Sequence, residues 1–186
     1  YNSRNIIGFL RFLFHFSIQK ILYRYADKII VISDDLKKFI KKNINKESEL
    51  IYNPITSNCK FNNNFSFKNK KLFLCIGSLT RRKNHIDLLK SFNLLNKNNF
   101  LSKFNIKLLI IGEGPMKIKL QQYINLKNLN NFVKIINNLE NLDYHYSNSF
   151  MLISTSLLEG IPNIFVESLS YNLPIITSNI PAAYEI

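Results

Sequence analysis

Glu159 and Glu167 lie with seven residues between them in the stretch Ser156 to Ser170. Two carboxylates at that separation can each accept hydrogen bonds from a pair of sugar hydroxyls. Between them Gly160 and Pro162 shape a turn, and Glu167 falls about one turn into the helix that follows. The free N–H groups expected at Asn163 to Phe165, at the start of that helix, offer donors to phosphate or sugar oxygens without any side chain. Two plainer readings stand beside this one: Glu159 as a surface charge, and Glu167 as an acid complementing the helix dipole.

A second loop, Gly77-Ser78-Leu79-Thr80-Arg81-Arg82-Lys83-Asn84-His85, puts three consecutive cations at a helix start. Fixed cations and unpaired amides both favour an anion, so the loop could clamp a diphosphate; taken alone, it could equally be a solvated basic loop. A third, Ile111-Gly112-Glu113-Gly114-Pro115, combines glycines that allow close backbone approach with a proline suited to a first helical turn. It lacks the third glycine of the dinucleotide fingerprint, so a simple turn explains it as well as a ligand loop does.

These loops need a scaffold that brings them to one edge. Apolar runs predict strands at Leu72–Gly77, Ile106–Ile111, Phe132–Ile136, Phe150–Ser154 and Pro174–Thr177. Helical patterns at Asn84–Asn96, Pro115–Leu126, near Leu142–Tyr146, and at Asn163–Tyr171 alternate with them. Alternation of this kind implies parallel βαβ units in a doubly wound α/β sheet, with ligands bound beyond the carboxyl ends of the strands. Upstream, Ile6 to Tyr25 reads as an amphipathic helix, its apolar side either packed in a core or laid on anionic lipid. Lys28–Ser33 reads as a buried strand, Asp34–Lys42 as a helix capped by Ser33, and Glu49–Tyr52 as a further strand. The polar, aperiodic stretch Thr56 to Lys71 reads as a boundary loop.

The chain has 186 residues, 46% of them hydrophobic, which excludes disorder and suits one well-buried α/β domain, or one domain plus pieces of another, but hardly two complete ones. Its formal charge of +13, from 25 basic and 12 acidic residues, admits nucleic acid, anionic membrane or phosphorylated substrate as partners. The cations are dispersed among Asn and Ile, however, and aromatics fall mostly at core positions, which argues against a nucleic-acid module. Two cysteines, Cys59 and Cys75, make neither a disulfide framework nor a metal-ligand spacing. A reducing, cytoplasmic setting follows. The apolar opening Ile6 to Phe16, broken by Arg11 and His15, is too short to span a bilayer and carries no signal-peptide cleavage pattern.

The pair Glu159 and Glu167 with its internal Gly and Pro, followed by Asn172-Leu173-Pro174-Ile175-Ile176, resembles the donor motif of the family 4 retaining glycosyltransferases. The resemblance is collinear over nearly the whole chain. It takes in Ala26 to Ser33, Ile51-Tyr52-Asn53-Pro54, the Gly77 to His85 loop, Gly112 to Pro115, and Ile180 to Ile186. It implies a GT-B fold of two facing Rossmann-like domains. Residues 1–52 would be the end of the acceptor-side domain, 53–68 a linker and 69–186 most of the nucleotide-sugar domain. The N-terminal glycine-rich loop, the acceptor-side residues and the closing helices would be missing.

The resemblance further implies that Glu167 binds the ribose hydroxyls, and that Glu159 with the backbone at Gly160, Asn163 and Ile164 binds the donor sugar. Lys83 would hold the diphosphate in place of a metal, with Lys83 and Glu159 as the catalytic residues. Gly77, Ser78, Arg82, Gly114 and Asn137 complete the implied nucleotide site. Ser78 stands where relatives commonly have Arg, so Arg81 or Arg82 would compensate; Asn137 replaces a frequent glycine beside the base. The implied reaction transfers a sugar with retention from a UDP-linked donor to a hydroxyl of a glycan or lipid-linked acceptor in cell-envelope synthesis. It needs no metal or other cofactor and takes place in the cytoplasm at the inner face of the membrane, with peripheral membrane contact. A same-fold epimerase or phosphorylase would use the same loops.

Overall fold

The computed structural model describes residues 17–18, 20–54, 71–137 and 140–186, which fall into two compact units. The Ile6–Phe16 part of the helix expected over Ile6–Tyr25, and almost all of the Thr56–Lys71 loop, lie outside the described residues. Residues 20–25 are helical, with Ile21, Leu22 and Tyr25 exposed.

In the first unit, β1 (Ile30–Val31) pairs in parallel with β2 (Glu49–Leu50), and α1 (Asp34–Ile44) makes the crossover. Both strands are shorter than their apolar runs suggested. Burial also alternates: Ile29 and Val31 are buried with Ile40 and Ile44, while Ile30 is 57% exposed. The expectation of a fully buried strand is therefore corrected, because α1 covers only one side. The Ser33 hydroxyl accepts from the Leu36 N–H at 3.2 Å, the expected N-cap. Asn45 closes the other end with φ 57° and ψ 42°, its N–H donating to the Lys41 carbonyl at 3.2 Å. Glu185 groups with this unit, its carboxylate accepting from the Asp34 and Asp35 N–H groups at 3.0 Å each.

The second unit is a five-stranded parallel sheet: β3 (Leu72–Ile76), β4 (Lys107–Ile111), β5 (Val133–Ile136), β6 (Met151–Ser154) and β7 (Ile175–Thr177). Its order is β5-β4-β3-β6-β7. The chain winds outward from β3 to β5, returns to the other side of β3 and continues to β7. Reversing direction sends the crossover helices to opposite faces, as right-handed connections require. α2 (His85–Lys97), the short α3 (Phe100–Phe104) and α4 (Lys117–Leu126) pack on one face with Cys75, Leu108 and Ile110. α5 (Leu142–Asn148) and α6 (Asn163–Ser170) lie by the other, with Leu74, Ile76, Leu109 and Ile111. Successive residues of β3 and β4 thus feed two cores, which is why their sequences are unbroken apolar runs. Each fully buried Leu or Ile here contributes roughly 1.5–3 kcal/mol. A short 3₁₀ turn, Pro181–Tyr184, follows β7. The doubly wound α/β architecture is the one expected; α3 was not foreseen.

Candidate functional site

The loops after β3 and β4 meet backbone to backbone. Leu79 donates to the Glu113 carbonyl at 2.7 Å, and its own carbonyl accepts from Met116 at 2.9 Å. Glycine is obligatory at this joint. A Cβ on Gly112 would lie 2.0 Å from the Gly77 carbonyl oxygen, and one on Gly114 2.6 Å from that of Leu79. Gly114 therefore serves the fit of the loops. Gly77 and Ser78 line a cleft of about 730 Å³ with Gly112, Glu113, Asn137 and Glu140, over the carboxyl ends of β3, β4 and β5. The Asn137 side-chain oxygen accepts from Lys117 at 2.6 Å.

Where strand order reverses, the loop after β3 lies beside the loop after β6. The two are stitched together: Leu157 donates to the Arg82 carbonyl at 2.9 Å, and the Thr155 hydroxyl lies 3.1 Å from the Lys83 and Asn84 carbonyls, to which it donates. That frame brings the Lys83 ammonium onto Oε1 of Glu159 as an ion pair, both side chains largely buried at 15% and 8% exposure. Arg82 approaches the other oxygen at 3.5 Å and the Leu158 carbonyl at 3.4 Å. Glu159 is thus no solvated surface charge, and Lys83 no free loop cation. Between the two predicted arginines, it is Arg82 that reaches Glu159.

Glu167 sits on the fifth residue of α6, half-buried, and its Oε2 accepts from the Tyr146 hydroxyl at 2.7 Å. Tyr146, on α5, is 1% exposed and stacks on Tyr171 with centroids 5.4 Å apart and rings 16° from parallel. Burial first, and then the hydrogen bond to Glu167, push its phenol pKa well above the usual tyrosine range. The sequence reading missed Tyr146; the available signal was a tyrosine at a core position, whose hydroxyl needs a partner. At the start of α6, Asn163 is exposed and Ile164 packs partly into the core. The Phe165 N–H, expected to be open to a ligand, instead donates to the Pro162 carbonyl at 3.0 Å, because the first turn closes tightly on that proline. Gly160 lies in the bend before it. Neither Glu159 nor Glu167 lines the cleft over β3 to β5. Among the described residues, no three His, Cys, Asp or Glu side chains come together as metal ligands would.

The model of the family "Glycosyl transferases group 1" matches residues 58–186. The chain belongs to that family. An uncharacterized glycosyltransferase of Methanocaldococcus jannaschii is 34% identical to this group 1 chain over 173 residues, 86% of the chain and 41% of the relative. An alpha-1,4-N-acetyl-D-galactosaminyltransferase of Campylobacter jejuni, named for a PP-undecaprenol acceptor, is 27% identical over 162 residues, 87% of the chain and 44% of the relative. The group 1 chain thus spans less than half the length of these two relatives. Among solved structures, a TarM variant of S. aureus with UDP superposes with a TM-score of 0.72 at 21% identity, over 85% of this chain and 31% of that one. HepE of Anabaena with UDP and glucose gives 0.69 at 18% identity, over 87% and 47%. Both likenesses concern the fold. Among the described residues no helix is long and apolar enough to cross a membrane.

Proposed function

We propose that the protein is a retaining glycosyltransferase of the family 4 type, moving a sugar from a nucleotide, UDP by preference, to a hydroxyl of a glycan or lipid-linked acceptor. The observation that carries this reading is the Lys83–Glu159 pair at the sheet's switch point, the place where doubly wound folds bind ligands. Both it and the adjoining cleft are built from strand-to-helix loops. The named sugar acceptors of the Campylobacter relative and the UDP in the TarM and HepE structures support the choice of substrates. In this reading residues 1–52 end an acceptor-side domain, 53–68 link, and 69–186 bind the donor.

The base lies against Asn137 in the cleft lined by Gly77 and Ser78, and the ribose extends out of that cleft to put its hydroxyls on Glu167. Glu159 and the backbone at Gly160, Asn163 and Ile164 take the donor sugar. Lys83, helped by Arg82, turns to the diphosphate as the glycosidic bond to the leaving oxygen breaks. Departure and hydroxyl attack take place on one face through an oxocarbenium-like transition state, the hydroxyl proton passing to the departing phosphate oxygen, without a covalent enzyme intermediate. The protein's contribution is positioning and charge stabilisation. With the cations carrying the leaving-group charge, no metal is needed, so a chelator leaves turnover unchanged. The work is done in the cytoplasm at the inner face of the membrane.

In the full chain, Glu167→Ala weakens UDP binding by roughly ten- to a hundredfold, the equivalent of one charge-assisted hydrogen bond. Lys83→Ala lowers turnover more than affinity. Calorimetric titration with UDP and a UDP-release assay with acceptor read these two effects; unchanged constants in both variants would remove the site assignments. Epimer formation without UDP release would point to the epimerase chemistry instead.

A further inference from the structure

A carboxylate that must receive two adjacent hydroxyls works best when its plane is already set. Glu is a rotamer-rich side chain, and ordering it on binding opposes affinity. Glu167 does not stand alone: its Oε2 is held by the Tyr146 hydroxyl at 2.7 Å. That phenol is itself fixed, because its ring is 1% exposed and stacked on Tyr171 at the end of α6. The backbone beneath the carboxylate is braced as well, since the Ser170 hydroxyl donates to the Glu167 carbonyl at 2.6 Å. α5 and α6, on the same sheet face, therefore supply the two halves of one clamp, joined through a buried aromatic stack. Burial and the carboxylate together keep the phenol protonated, so it remains a donor at every pH at which the protein would work. A carboxylate oxygen has two lone pairs, and Glu167 keeps acceptor capacity for a ligand while bonded to Tyr146.

We propose that Tyr146 is a positioning residue: it presets the Glu167 carboxylate for a vicinal diol, and so sets the preference of the site for ribonucleotides over deoxyribonucleotides. This rests on the reading of Glu167 as the ribose ligand. Tyr146 touches no substrate in this scheme, and its effect travels through the hydrogen bond alone.

The test compares UDP with its 2′,3′-dideoxy analogue by titration against the full chain, the Tyr146→Phe variant and the Glu167→Gln variant. Tyr146→Phe keeps the stacked ring and removes only the hydroxyl. UDP binding is expected to weaken about tenfold while the dideoxy analogue changes little, so the discrimination ratio collapses by the same factor. A merely structural role would weaken both ligands alike, and that outcome overturns the proposal. Glu167→Gln separates the two layers of the argument. If it leaves the ratio intact, the ribose assignment itself fails; if it abolishes the ratio while Tyr146→Phe does not, only the positioning role fails. Should Tyr146→Phe not fold, fluorotyrosine at position 146 gives an independent measurement. Its fluorine resonance is expected to shift with UDP and not with the dideoxy analogue, and equal shifts with both would count against the clamp.

Discussion

His85 opens α2 and is 3% exposed, with its Nδ1 making no hydrogen bond among the described residues. Burial, and secondarily the charge of Lys83, lower its pKa to about 4 from an ordinary value near 6.5. A depressed folded-state pKa means the native protein holds the imidazole neutral while the unfolded chain would protonate it. The stability this group contributes is therefore complete above about pH 6.5 and is lost as pH falls toward 4, by an amount on the order of 3 kcal/mol. Urea unfolding at pH 7 and pH 4.5 should show a smaller pH-dependent loss in His85→Phe than in the parent protein; an identical slope would show that His85 is not responsible. At this scale the sequence was informative about residue types and silent about partners. Glu159 and Lys83 were legible as members of two loops, but 76 positions separate them, and only the strand order makes them an ion pair. The same holds for Tyr146 and Glu167, whose meeting depends on two helices landing on one sheet face.

Elements were easier to read than their ends. β3 to β7 follow their apolar runs, whereas β1 and β2 stop after two residues each, since pairing and not hydrophobicity decides where a ladder ends. Many of the chain's asparagines do conformational work. Every non-glycine residue with positive φ among the described residues is an asparagine: Asn45, Asn84, Asn99, Asn105, Asn128, Asn141 and Asn172. With five glycines in the whole chain, asparagine supplies the left-handed turns that close helices and start new ones. Asn45→Gly should therefore raise the thermal midpoint slightly or leave it alone, while Asn45→Ala should cost about 1 kcal/mol. Gly112 allows no such exchange. Its Cβ would stand 2.0 Å from the Gly77 carbonyl oxygen, so Gly112→Ala is expected to destabilise by more than about 2 kcal/mol, measured by denaturant unfolding, and an unperturbed midpoint would contradict the geometry.

For the molecule as a whole, the order β5-β4-β3-β6-β7 converts a list of loops into a site. Alternating strand and helix patterns announced a doubly wound sheet, but the position of the reversal could not be read from periodicity, because neighbours in a sheet are set by pairing and not by local sequence. The net charge of +13 is a property of the same scale and has a separable consequence. Binding to random-sequence DNA should disappear as salt is raised to physiological strength, while thermal stabilisation by UDP persists; the opposite ranking would favour a nucleic-acid partner. The joint between the loops after β3 and β4 has a different kind of consequence. It is made wholly of main-chain atoms, Leu79 against Glu113 and Met116, with glycine at the close approaches. Mutational drift at the exposed positions Ser78, Glu113 and Asn137 can thus proceed without disturbing how the loops meet. In the proposed donor site, these three cleft-lining positions are therefore the natural place to graft the donor choice of another relative onto this scaffold.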